Sequence, residues 1–215
     1  MRVYVGQTRD PKLISRLRAL RIGECTCRGE LPPKRSPYFY DNGAFSDWQG
    51  GRSFNGIQFE RDMRRLSYWN IPRADFVVLP DIVGGGSQSL AFSRSYLDGA
   101  FAPFHGYSAP VYLAVQDGMK ERDIEPLVPQ LDGLFVGGTL EWKLATAPAW
   151  VKFAGAARLA CHLGRCGTFE RVQWAREIGV DSIDSSLPLW SEEKLARFLE
   201  ALIGLQLSLD LSNST

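Results

Sequence analysis

Along this chain, apolar and polar positions switch between two periods. Short runs rich in β-branched and aromatic residues, at 2–6, 22–27, 38–41, 76–80, 111–116, 133–136, 159–163 and 180–183, read as strands. Stretches with helical spacing lie between most of them and after the last, at 11–20, 57–69, 87–101, 119–128, 140–151, 169–178 and 191–203. Strands separated by helices of ten or more residues imply parallel pairing through right-handed crossovers. Eight strands predict an α/β fold, a compact (β/α)8 TIM-like barrel forming one domain over residues 1–215 and near the lower size limit for that fold. An open doubly wound sheet competes, but no Gly-x-Gly-x-x-Gly follows the first strand.

In such a barrel the chemistry sits at the C-terminal tips of the strands. The third predicted strand runs into Asp41-Asn42-Gly43-Ala44-Phe45, the fourth into Asp81, the fifth into Gln116, the sixth into Gly137-Gly138 and the seventh into His162-Leu163-Gly164. The eighth runs from Val180 towards Asp184, the last acid before a loop, and alternation sets Val180, Ser182 and Asp184 on one face. Any one acid at a strand end serves a loop cap as well as catalysis; several on one rim point to a site. Two carboxylates facing each other across a sugar can run glycosyl transfer through a covalent intermediate. An Asp beside a Gln complements the N–H, N–H and carbonyl edge of guanine. Paired glycines either form a tight turn or let backbone N–H groups approach a flat ligand.

Composition refines this picture in three places. Lys and Arg exceed Asp and Glu by seven over residues 1–73, whereas the remainder carries a net charge of −6, for +1 in total. A basic half, with Arg61, Arg64 and Arg65 on one helix, suits contact with a polyanion or, equally, a solvated helix face. Cys25, Cys27, Cys161 and Cys166 match no familiar zinc spacing and are expected as free thiols; they could share a metal only if the fold joined the two pairs. His105 and His162 read as structural. With no membrane-length apolar run and a strand directly after the first Met, the expected location is cytoplasmic (host cytoplasm if the protein is viral), with no membrane partner.

These residues carry a family resemblance. Gly179-Val180-Asp181-Ser182-Ile183-Asp184-Ser185-Ser186-Leu187-Pro188 resembles the Gly-Ile-Asp-Met-Phe-Asp-Cys-Val-Leu-Pro of the tRNA-guanine transglycosylase superfamily, and Asp41-Asn42-Gly43-Ala44-Phe45 is similar to its Asp-Ser-Gly-Gly-Phe. The resemblance runs in order over residues 38–188. It implies Asp184 as nucleophile, Asp41 as acid/base, and Asp81, Gln116, Gly137 and Gly138 as the base-binding set. Two departures stand out. No Cys or His follows Asp184 where the tRNA enzymes carry a zinc subdomain, and Leu189-Trp190 replaces the usual Thr-Arg after Leu-Pro. The chain therefore looks most like the small DNA-acting members from phages and bacterial DNA-modification clusters. Those members imply exchange of guanine in DNA for a free 7-deazaguanine base such as preQ0, without metal or cofactor. The target nucleotide would be flipped out or single-stranded, with Trp48, Tyr68, Trp69 and Trp190 available to stack on bases. A tRNA substrate, a DNA or nucleoside glycosidase, and a non-catalytic nucleic-acid-binding subunit are the alternatives; a homodimer or an accessory protein completes the set of expected partners.

Overall fold

The computed structural model describes residues 1–68, 71–98 and 109–212, with side chains over 1–67, 71–97 and 109–202. Trp69, His105 and the side chain of Tyr68 lie outside the described residues. Eight parallel strands close into a barrel: β1 Arg2–Gly6, β2 Gly23–Cys27, β3 Tyr38–Asp41, β4 Val77–Val78, β5 Val111–Val115, β6 Gly133–Val136, β7 Ala160–Leu163 and β8 Ser182–Ser185. β8 pairs back onto β1, with Arg2 opposite Ser182 and Tyr4 opposite Asp184. The helices are α1 Pro11–Ala19, α2 Ala44–Gln49, α3 Gly56–Tyr68, α4 Gly86–Asp98, α5 Glu121–Ile124, α6 Leu140–Ala157, α7 Phe169–Glu177 and α8 Glu192–Ser212. None described is long and apolar enough to cross a membrane.

Two strands depart from their expected bounds by more than one residue. The ladder of β4 is only two residues long, because Pro80 has no N–H to continue it. β8 begins at Ser182, two residues later than expected. Gly179, at φ +81°, ends α7 in the left-handed region, and the N–H of Val180 turns back to the Ala175 carbonyl at 3.2 Å. Val180 consequently packs between barrel and helices and does not share the inward face of Ser182 and Asp184.

Alternation along the strands divides the apolar residues into two layers. Outward residues such as Val5, Leu113, Val115, Leu134, Val136, Leu163 and Ile183 pack in one large cluster that includes Trp150, Val172, Leu195 and Phe198 of the helices. Inward residues fill the barrel with rings. Phe39 stacks on Phe76 at 4.5 Å and Phe76 on Tyr112 at 4.0 Å; Tyr4 meets Phe39 edge-on at 5.0 Å, and Phe135 stacks on His162 at 4.8 Å. Space for these rings comes from glycine. A β-carbon at Gly23 would collide with the Tyr4 ring, and one at Gly133 with that of Tyr112.

No helix links β2 to β3; residues 28–37 form a loop. The outward side chain of Glu24 is met there by Arg35, and both are fully buried, 3.3 Å apart. The Arg35 guanidinium also donates to the carbonyls of Val5 at 2.8 Å, Gly6 at 3.1 Å and Gly23 at 3.0 Å. Glu24 accepts in turn from Gln7, Thr26 and the Lys34 N–H. A buried ion pair this well saturated fills the place of a crossover helix, and deleting one partner strands the other charge. Arg35→Met is expected to cost about 3–5 kcal/mol in urea-unfolding free energy. A loss within about 0.5 kcal/mol would show that the loop, and not the ion pair, holds β1 to β2.

Candidate active site at the strand C-termini

All six residues singled out from the sequence, Asp41, Asp81, Gln116, Gly137, Gly138 and Asp184, line one cavity of about 430 Å³ above the aromatic floor of the barrel. Each arrives there by the parity of its strand or by the turn that follows.

Asp41 is the last residue of β3. Its Oδ1 accepts the Gly43 N–H at 2.7 Å, an Asx turn that Gly43 completes at φ +77°. Asn42, one residue on, faces β4. Its amide donates to the Leu79 carbonyl at 2.5 Å and to Asp81 Oδ1 at 2.7 Å, while its own Oδ1 accepts the Ala44 N–H at 2.7 Å. The second oxygen of Asp81 accepts from the Gln116 amide, and Gln116 Oε1 accepts the Gly84 N–H at 3.1 Å. Asp81 is thus held by one amide donor on each oxygen. A side chain at Gly137 would bring a β-carbon to 2.6 Å from Gln116 Nε2, and Gly138 sits at φ +71°. Both glycines are therefore required for the turn and for the close approach.

Asp184 hangs from the inward face of β8. Its Oδ1 lies 2.9 Å from Nε2 of His162, and Nδ1 of His162 lies 2.8 Å from the Ser182 hydroxyl. Burial outweighs the nearby carboxylate and lowers the His162 pKa, so the ring is neutral. A neutral ring facing a carboxylate carries its proton on Nε2, leaving Nδ1 to accept from Ser182. His162, read from the sequence as structural, is in fact the group that orients Asp184. Its inward parity beside Ser182 on the neighbouring strand was the available signal.

The two carboxylates at β3 and β4 are poised differently from ordinary acids. Burial, reinforced by the charge of Asp184, lifts Asp41 to about 6 against the opposing Gly43 N–H. Burial also lifts Asp81 to about 7, with the Asn42 and Gln116 donors pulling the other way. One cavity therefore holds a carboxylate fixed by a neutral imidazole and another carboxyl tuned for proton transfer. That division of labour suits glycosyl transfer and acid–base chemistry in general.

No family model matches this chain, and no curated protein does.

Several further residues shape the site without a sequence signal of their own. Arg165, in the left-handed region at φ +59°, donates to the Gly138 carbonyl and lies 4.2 Å over the Phe45 ring, which stacks on Trp48. Lys143 of α6 is buried behind Asp184 with its ammonium on the Gly164 carbonyl; burial lowers it to about 7. Of the aromatic residues proposed to stack on bases, Trp48 is 55% exposed and Trp190 is 68% exposed, the latter on the cavity rim under Lys194. Part of the basic excess is neutralised internally: Arg64 pairs with Glu60 and Arg65 with Asp62 on α3, and Arg28 pairs with Asp47. Cys25 and Cys27 face the cavity, whereas Cys161 and Cys166 lie in the outer core, so the fold does not join the two pairs.

The raised carboxyl has a consequence for stability. A group whose folded pKa lies above its ordinary 3.8 contributes stability that is fully present below that value and is lost as pH rises through about 6. Asp41→Asn keeps the acceptor for Gly43 and removes the buried charge. It is expected to stabilise the protein at pH 8 by up to about 3 kcal/mol, with the advantage shrinking below pH ~6. Melting curves of both proteins at pH 8 and pH 4.5 check this; an equal difference at both values would show that Asp41 is not desolvated.

Proposed function

We propose that this protein is a base-exchange glycosyltransferase, a pentosyltransferase that replaces guanine in DNA with a 7-deazaguanine. The observation that carries the reading is the convergence of Asp184, Asp41, Asp81 and Gln116 in one cavity, with Asp184 oriented by His162. The ordered resemblance over residues 38–188 supplies the chemistry.

In this reading Asp184 attacks C1′ of a deoxyguanosine. A C1′–O ester forms, and the C1′–N9 pair leaves with guanine, which takes a proton from Asp41. Asp81 has a free lone pair on each oxygen for the guanine N1–H and N2–H, and Gln116 keeps a second N–H for O6. The incoming deazaguanine then loses its ring proton to Asp41 and displaces Asp184 from C1′. Two inversions give net retention, and no nucleoside triphosphate is consumed. His162 is a positioning residue. It donates to one oxygen of Asp184 and leaves the other free to attack.

The decisive assay is incorporation of labelled 7-deazaguanine, with DNA and bulk tRNA offered together. Label entering tRNA alone would overturn the DNA reading and leave the exchange chemistry standing. Asp184→Asn is expected to abolish exchange with the fold intact, since an amide cannot form the ester; Asp181→Ala should be milder. His162→Phe keeps the ring volume and is expected to lower kcat by about 10- to 100-fold with KM little changed. Exchange should fall as pH drops below about 7, where Asp81 gains a proton and loses an acceptor for the base, and as pH rises above about 6, where Asp41 loses the proton it gives to the leaving guanine. A rate unchanged down to pH 4.5 would remove Asp81 as the acceptor, and one unchanged from pH 6 to pH 9 would remove Asp41 as the acid.

A further inference from the structure

One wall of the cavity carries positive charge that the chemistry above does not use. Arg165 and Arg171 both line it, on the loop after β7 and in the first turn of α7. Their mutual repulsion extends to Lys143 behind them and adds to the burial that lowers its pKa to about 7. Asp184 is the anion that Lys143 and Arg165 share; Asp117 also lies within electrostatic reach of Arg165, and the exposed Glu170 within reach of Arg171. Among the described residues, no carboxylate makes an ion pair with Arg165, whose guanidinium is held by the Gly138 carbonyl and the Phe45 face. The guanidinium of Arg171 has no hydrogen bond or ion pair at all among the described residues; only its backbone is engaged, by the Thr168 cap and the Cys166 thiol. The facing loop, after β8, contributes the exposed Ser186 to the same cavity.

A guanidinium that is desolvated at a cavity wall without an ion pair, as that of Arg165 is, carries a cost that an anionic ligand would relieve. In (β/α)8 barrels the space between the loops after strands seven and eight is a recurrent phosphate position. We propose that Arg165 and Arg171 form an anion subsite for the phosphate ester flanking the sugar that reacts at Asp184. The subsite names the substrate as a nucleotide unit and not a free nucleoside, and to that extent it rests on the function proposed above. A phosphodiester within a strand and the monoester of a free nucleotide share this chemistry, so the test must separate them.

Binding to the intact protein is measured calorimetrically for deoxyguanosine, deoxyguanosine 5′-monophosphate and a trinucleotide with a central deoxyguanosine and no terminal phosphate. The phosphate-bearing ligands are expected to bind about tenfold or more tightly than the nucleoside, as charge-assisted hydrogen bonds require. The advantage should disappear in Arg171→Gln, whose side chain makes no hydrogen bond or ion pair among the described residues, with deoxyguanosine affinity retained; it should also disappear in Arg165→Gln, where loss of the bond to the Gly138 carbonyl lowers the affinity for all three ligands. Equal affinity for nucleoside and nucleotide, or an advantage that survives both substitutions, overturns the subsite. Preference for the monoester over the trinucleotide keeps the subsite and assigns it to free nucleotides. Phosphate discrimination without any labelled-base exchange would likewise keep the subsite while the exchange reading fails.

Discussion

Closing eight parallel strands into a barrel sends every second side chain of each strand into a space only a few rings wide, and the rest of this structure follows from how that space is filled. Tyr4, Phe39, Phe76, Tyr112, Phe135 and His162 occupy it, made compatible by glycines at positions 23 and 133 where a β-carbon would meet a ring. The rings form a floor, and inward positions at the C-terminal ends of several strands stand above it. Those positions belong to Asp41, Gln116 and Asp184. Aromatic packing and site geometry are thus one feature, since the depth of the floor sets the height at which the carboxylates meet.

Burial that stabilises the rings penalises the acids. Asp41 and Asp81 are lifted towards neutrality by desolvation, and each is kept in place by donors that favour its charged form. Glu24 and Arg35 face the same penalty on the outside of the barrel and meet it differently, by pairing with each other and saturating the remaining donors with carbonyls. One arrangement yields a structural plug where a helix is missing. The other yields groups that can exchange protons near neutral pH.

The neutral His162 joins floor and site. It stacks on Phe135 as part of the aromatic filling and at the same time bonds Asp184 and Ser182. A charged ring would be costly among those neighbours. A purely apolar ring would leave Asp184 without the donor that fixes it.

The amino-acid sequence by itself determined the architecture. A period of two in eight short runs and of 3.6 between them has one compact solution when each strand is buried on both faces. It also determined which residues crown the rim, because strand parity and strand ends are local properties. Tertiary structure alone decided the rest. Val180 left the inward face because a left-handed Gly179 and a hydrogen bond to Ala175 delay the eighth strand. His162 became the orienting partner of Asp184 only through the pairing of β7 with β8, twenty residues on. Asn42 and Gln116 clasp Asp81 across three strand tips, and Arg165 and Arg171 face an unshared wall. Each of these depends on which segments closure brings side by side, and on how much water closure removes from around them. Neither quantity is a property of any stretch of chain taken alone.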